Sequence, residues 1–404
     1  MDTVPLTLTL IFTGIAFAPA LIWLIILFHR RPAFALALGL GLSLLSVTQF
    51  GHPAMRVALA VVLLPHLPAA IKKIRETTPS VLPPLLPFSI FTVLAFVSLL
   101  WSRMPMDTLT AAGAWVILLL FLLTFRTLLS AETIRRTVFL VLLVIVAVCA
   151  VFLLLPDGWW EGRARGMFTN ANTLGIVTFL FVGSSLWRGL KTWLWAVPAG
   201  LVLITATGSR AALMAAIVTL LVVLGAQLGW RYRIVLAGVA IPVLYPLYFW
   251  VTWALEQLSA DSTSILRTSN TRSDRWEAAV EFISVNRWLG AGHGATPFMV
   301  DHNSYFRLFA EFGMILSFVG VFVVLSYVWW SRRDPVMLAL TVGVLVNTFF
   351  EDWLLSAGAS MLGVYLILLL STPQRVSADP DDAVKAQVGQ HHQPTSFSPV
   401  AAGR

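Results

Sequence analysis

The residues best equipped for chemistry lie in three short polar segments set between long apolar runs. The first is Gly162-Arg163-Ala164-Arg165-Gly166-Met167-Phe168-Thr169-Asn170-Ala171-Asn172. Its two arginines can attract an anionic substrate, or be solvated loop charges, and Asn170 can cap the helix that follows. The second is Thr207-Gly208-Ser209-Arg210, wedged between two apolar runs. Gly208 permits a tight turn and Ser209 can cap the next helix. Arg210 then stands at a helix N-terminus, where the dipole favours anions; the competing reading is an arginine that snorkels to the interface. The third runs from Thr271-Arg272-Ser273-Asp274 to Asp301-His302-Asn303-Ser304. Thr271 and Asp274 have capping-box spacing, so a helix is expected to about Arg287 with Arg272 in its first turn and Trp276, Val280 and Ile283 as its apolar stripe. Arg275 and Arg287 are further cationic candidates, or solvated. Gly290-Ala291-Gly292-His293-Gly294 reads as a flexible turn; it is not a dinucleotide fingerprint, because no strand precedes it. His302 opens the next apolar span, as a structural hydrogen bonder or as a proton acceptor near neutrality. Arg307 and Glu311 are four apart and can pair.

The elements that must position these residues are membrane helices. Of 404 residues, 58% are hydrophobic and 11% charged, and mean hydropathy is +0.85. Soluble proteins run about 45–50% apolar and about 25% charged. That excludes an ordinary soluble enzyme, a disordered chain and a disulfide scaffold. The apolar runs are continuous rather than alternating, which argues against a β-barrel. They fall near 4–28, 33–50, 54–71, 81–101, 108–129, 137–155, 172–187, 192–207, 210–229, 234–256, 304–330, 336–350 and 354–371. The expected fold is all-α: a polytopic bundle of about 12–13 spans with one larger outer loop containing short helices.

The net charge of +8 follows from cationic loops rather than from nucleic-acid binding. His29-Arg30-Arg31, Lys72-Lys73-Ile74-Arg75, Arg135-Arg136, Arg188 with Lys191, Arg231 with Arg233, and Arg332-Arg333 recur at every second junction. All can be cytoplasmic at once. The three polar segments and Glu351-Asp352 then face outward. Tryptophans such as Trp101, Trp159, Trp160, Trp187, Trp329 and Trp330 sit near span ends, as interfacial aromatics do. The lone Cys149 lies in an apolar run and has no intrachain partner. The first run reads as a retained span rather than a cleaved leader. Residues 1–371 read as one integral membrane domain with a long outer loop at 257–303, and 372–404 as a disordered cytoplasmic tail.

Several of these segments resemble one family. Thr207-Gly208-Ser209-Arg210-Ala211-Ala212, Arg272 through Trp276 leading to Trp288-Leu289-Gly290-Ala291-Gly292, and His302-Asn303-Ser304-Tyr305 match its signatures in order, spacing and sidedness. Phe168-Thr169-Asn170-Ala171-Asn172-Thr173-Leu174-Gly175 matches a fourth, with Ala171 in place of a proline. Over roughly 160–371 the chain resembles the O-antigen ligase and O-antigen polymerase superfamily of bacterial inner membranes. The resemblance implies a glycosyltransferase of the GT-C type with its site facing the periplasm and a glycan donor carried on undecaprenyl pyrophosphate. A ligase passes the glycan to lipid A–core; a polymerase passes it to another lipid-linked repeat. Arg210 and Arg272 would hold the pyrophosphate and His302 would accept the proton. Arg163, Arg165, Asn172, Arg275 and Asn303 would support the site. The family has about twelve spans with both ends cytoplasmic, so the thirteenth run is an N-terminal difference, within 1–71.

No cofactor is called for. Pyrophosphate is already a good leaving group, arginines can stabilise its charge, and no paired acidic motif suggests a metal. A single outer loop of substantial length favours the ligase over the polymerase. A secondary transporter would place ionisable residues near mid-bilayer and break helices in repeated halves; neither pattern is evident in the sequence. A non-catalytic scaffold would not need arginines and a histidine around one outer cavity.

Overall fold

The computed structural model describes residues 31–49, 59–60, 62–76, 84–227, 273–296, 303–354 and 360–372. Among them are twelve α-helices: α1 (Pro32–Leu45), α2 (Leu67–Glu76), α3 (Leu86–Val97), α4 (Pro105–Leu128), α5 (Ala131–Phe152), α6 (Ala171–Ser185), α7 (Leu190–Thr207), α8 (Arg210–Gln227), α9 (Ser273–Val285), α10 (Ser304–Ser331), α11 (Pro335–Thr348) and α12 (Ser360–Leu370). The all-α expectation holds, with one small addition. The loop expected at 156–171 contains a hairpin of two-residue strands, β1 (Trp159–Trp160) and β2 (Arg163–Ala164). Its turn residues Glu161 and Gly162 both have positive φ, 49° and 71°, as a tight hairpin turn requires.

The helix starts are legible in sequence. Proline occupies the first turn of α1, α3, α4 and α11, where its missing N–H costs nothing. Ser130, Asn170, Asn303 and Asp334 cap α5, α6, α10 and α11 through their side-chain oxygens.

Among the described residues four helices, α4, α5, α7 and α10, are long and apolar enough to cross a membrane, at 24, 22, 18 and 28 residues. Their outward surface is apolar too. On α5, Val138, Leu142, Ile145 and Cys149 are buried while Leu140, Val144 and Val151 are exposed. On α10, Phe318, Phe322 and Leu325 are exposed. A water-soluble protein does not present so many large apolar side chains outward; this is a membrane protein. α1, α6, α8, α11, α12 and the stretch Leu86–Leu100 are apolar but shorter. The buried faces of α6 and α12 extend all round, which places these two helices in the core.

Two sequence expectations change. The run 304–330 reads as one continuous span, but α10 is broken at Gly313, whose φ and ψ are 64° and −176°. The basic Lys72-Lys73-Ile74-Arg75 cluster, expected in a loop after a span at 54–71, lies instead within α2. The runs at 4–28 and 234–256 and the tail after Thr372 lie outside the described residues.

Junctions expected to share the basic side touch one another. Arg135 Nη2 donates to Asp334 Oδ2 at 2.6 Å and to the Ser371 carbonyl at 3.0 Å. Trp187 Nε1 donates to Asp334 Oδ2 at 3.0 Å, and the Arg135 guanidinium lies 4.7 Å over the Trp187 ring. Arg188 pairs with Glu132 at 2.8 Å. These contacts join the starts of α5 and α11 to the ends of α6 and α12.

Candidate functional site

The polar segments converge at other helix ends. Between α7 and α8, Gly208 adopts the left-handed conformation at φ 62°, the C-terminal stop that glycine permits. Ser209 Oγ accepts the Ala212 amide at 3.5 Å, so Ser209 caps α8 as its sequence position suggests. Arg210 then opens α8, half-buried. Gly175 on α6 allows this turn to lie close: a Cβ there would stand 2.8 Å from Ser209 Cβ and 3.1 Å from Ala212 Cβ.

Arg163 ties the hairpin to that turn. Its Nε donates to the Thr207 carbonyl at 2.9 Å and its Nη2 to Asn172 Oδ1 at 2.6 Å. The Asn172 amide nitrogen donates to Glu351 Oε1 at 3.0 Å. The Glu351 carbonyl accepts the Ser304 amide at 3.2 Å and its hydroxyl at 2.8 Å. This chain of contacts gathers three helix N-termini: α6 at Asn172, α8 beside Thr207, and α10 at Ser304. Helix N-termini carry unsatisfied N–H groups and partial positive charge. Asn170 Oδ1 accepts the Asn172 amide at 2.9 Å. Asn303 Oδ1 accepts the Tyr305 and Phe306 amides at 2.8 and 3.1 Å, while its nitrogen donates to the Phe349 carbonyl at 2.7 Å. The Asn303 cap therefore also fastens the start of α10 to the residue that follows α11.

The end of the outer loop is seated rather than flexible. At the Gly313 break, α10 leaves carbonyls and amides without helical partners, and the loop supplies them. The amides of Ala291 and Gly292 donate to the carbonyls of Ala310 and Glu311 at 2.8 and 2.9 Å. The amides of Met314 and Ile315 donate to the carbonyls of Arg287 and Trp288 at 2.8 and 3.3 Å. α3 and the residues after it complete the seat. Trp101 Nε1 donates to the Leu289 carbonyl at 2.8 Å, and the His293 amide donates to Ser98 Oγ at 3.0 Å.

Buried charge lies under this seat. His293 Nδ1 is 2.7 Å from Glu311 Oε2, and both side chains are fully enclosed. Glu311 Oε1 accepts from Arg307 Nε at 2.8 Å, and Arg307 Nη1 reaches Asp352 Oδ2 at 2.6 Å. The His293 ring packs 4.1 Å from Trp115 and 5.5 Å from Phe312. The i, i+4 pairing of Arg307 with Glu311 is present, as one part of a larger network.

The sequence candidates separate as follows. Arg163 and Asn172 are bonded to each other and, through Thr207, to the turn that bears Arg210. Asn303 caps α10 beside Ser304. Arg165 turns elsewhere, its Nε on the Asp157 carbonyl at 3.0 Å and its guanidinium 5.1 Å over Trp160. Arg272 and His302 lie outside the described residues, and Arg275 is placed only as a backbone position in the first turn of α9. Of the apolar stripe expected on α9, Trp276 and Ile283 pack inward and Val280 does not. Ala279 is buried with Phe282 and Ile283 against Phe306 and Ala310, Trp276 meets Phe306 and Phe349 edge-on, and Val280 is 55% exposed.

Sequence reading missed the acidic partners. Glu351 and Asp352 look like a plain interhelical junction, and His293 like one more residue in a glycine turn. Glu311 carried a usable signal, since a carboxylate inside an apolar run is costly unless paired. Among the described residues no three His, Cys, Asp or Glu side chains gather as a metal site.

Fold and site together define an α-helical membrane protein in which a helix-N-terminal cluster bearing Arg163, Arg210 and Glu351 adjoins a His–Glu–Arg–Asp network whose His293–Glu311 half is buried. No protein-family model matches the sequence, and no curated protein does either.

Proposed function

We propose that the protein is an O-antigen ligase of the bacterial inner membrane, transferring a glycan from undecaprenyl pyrophosphate to lipid A–core on the periplasmic face. The observation that carries this reading is the convergence of the α6, α8 and α10 N-termini with Arg163 and Arg210 beside them. Such an arrangement suits a pyrophosphate: amide dipoles and guanidinium forks stabilise its charge as it leaves. The sorting of junctions into one basic contact set and one polar set supports alternating crossings.

In the reaction, an acceptor hydroxyl oxygen attacks the anomeric carbon and the bond from that carbon to the phosphate oxygen breaks. The electron pair leaves with undecaprenyl pyrophosphate, and the hydroxyl proton passes to His302. Arg210 and Arg272 hold the leaving group; Arg163, bonded through Thr207 and Asn172, fixes the turn that presents Arg210. One displacement inverts the anomeric centre. The leaving group requires neither a strong general acid nor a metal.

The test is transfer by purified protein given undecaprenyl-pyrophosphate-linked glycan, with and without lipid A–core, in EDTA. Product that depends on the core acceptor supports the ligase. Longer lipid-linked chains without core would make the protein a polymerase. No transfer by folded protein with any donor would favour a transporter or scaffold.

A further inference from the structure

The network under the outer loop ties the end of that loop, α10 and the residues after α11 to one another. Glu311 is its centre. One carboxylate oxygen takes His293 from the loop and the other takes Arg307 from its own helix, which continues to Asp352. Asp352 follows Glu351, whose side chain holds Asn172 and whose carbonyl holds Ser304. Glu311 also sits two residues before the Gly313 break and supplies the carbonyl that receives the Gly292 amide. A buried carboxylate in an apolar helix is costly, and here both its oxygens are bound, one to the loop and one to a cation on its own helix.

We propose that Glu311 is a positioning residue: it locks the 287–296 segment onto α10 and couples that seat, through Arg307 and Asp352, to the cationic cluster. Its chemical consequence rests on the transfer reading above; the lock itself does not. Packing complements it. Gly290 and Gly313 each have positive φ, and a Cβ at either would collide with the opposing backbone at Glu311 or Trp288. The loop and the break are therefore matched surfaces, with Glu311 pinning them from below.

The chemistry of the pair makes the roles separable. Arg307 can only donate, so in Glu311→Gln the amide oxygen must face Arg307 and the amide nitrogen must face His293. His293 can accept that bond by changing tautomer. Glu311→Gln therefore keeps the connections and loses the charge, whereas Glu311→Ala loses both.

The test is backbone hydrogen exchange of the protein in lipid nanodiscs, followed on peptides covering 286–296 and, as an internal reference, α6 and α11. Glu311→Ala should speed exchange of 286–296 by about tenfold to a hundredfold, as expected for loss of a buried hydrogen bond to a charged group, with α6 and α11 unchanged. Glu311→Gln should recover most of the protection. His293→Ala, which removes the loop's side of the pair, should reproduce the selective loosening and serves if Glu311→Ala does not fold. In transfer assays, Glu311→Ala should lower kcat while leaving the donor KM within about threefold. Wild-type exchange rates at 286–296 in both alanine variants would overturn the proposal, as would equal loosening of α6 and α11. If wild type transfers no glycan, the enzymatic reading fails while the exchange measurement still decides the lock.

Discussion

Arg163 and Thr207 stand 44 residues apart in the chain, yet the arginine Nε rests 2.9 Å from the threonine carbonyl. That carbonyl ends α7, immediately before the turn that starts α8 with Arg210. Arg163 thus holds the turn and Asn172 at once. Lysine lacks the planar fork needed for both bonds. Arg163→Lys and Arg163→Ala should each lower transfer at least about tenfold, with the unfolding temperature in detergent little changed. Steady-state rates and a thermal melt check this; wild-type rates in both variants would remove Arg163 from the site.

The opposite cluster should behave differently. Asp334 binds Arg135 and Trp187 and caps α11. Removing one partner of a largely enclosed ion pair costs about 3–5 kcal/mol, to which the lost cap adds about 1 kcal/mol. Asp334→Ala is expected to lower stability markedly while the donor KM of folded protein stays unchanged. Chemical denaturation in detergent together with KM measurement checks both halves of the statement.

The break at Gly313 leads to a sharper prediction. Its φ of 64° suits glycine, and a Cβ would strike the Trp288 backbone. Gly313→Ala should cost about 1–3 kcal/mol from the backbone conformation alone and unseat the loop. Protease cleavage near residues 287–296 should accelerate in Gly313→Ala but not in Gly41→Ala, whose Cβ would meet nothing within 4 Å.

Sidedness is open to a direct check. Cys149 is the only cysteine in the chain and is buried, so Cys149→Ala provides a background for labelling. Glu161→Cys in the hairpin turn should react with an impermeant maleimide from the periplasm, and Arg136→Cys only after the inner membrane is opened. The reverse pattern would invert the assigned topology.

Much of this architecture could be read from local chemistry. Apolar runs predict helices because a chain in lipid must satisfy its own backbone, and α4, α5, α7 and α10 follow them closely. The Asn170 cap, the Gly208 stop and the Ser209 cap depend on neighbours within three residues, so they too were legible. The Gly313 break was not. One glycine in an apolar run is compatible with a continuous helix, and only the distant 287–292 backbone makes the break favourable. The same reasoning applies to Glu351 and His293, whose partners lie far along the chain. On α9, Trp276 and Ile283 lie on the expected face, and only Val280 was misplaced, because it is apolar in a stripe count whereas Ala279 is small enough to pack against Ala310.

The proposed function is glycosyl transfer driven from the cluster around Arg163 and Arg210. Its most direct test is release of undecaprenyl pyrophosphate upon addition of lipid A–core, followed in wild type, Arg210→Ala and His302→Ala proteins of matched fold. Wild type should release undecaprenyl pyrophosphate only when acceptor is present, and each variant at least about a hundredfold more slowly. Release at wild-type rates in both variants, or none from folded wild type with any acceptor, would overturn the proposed function.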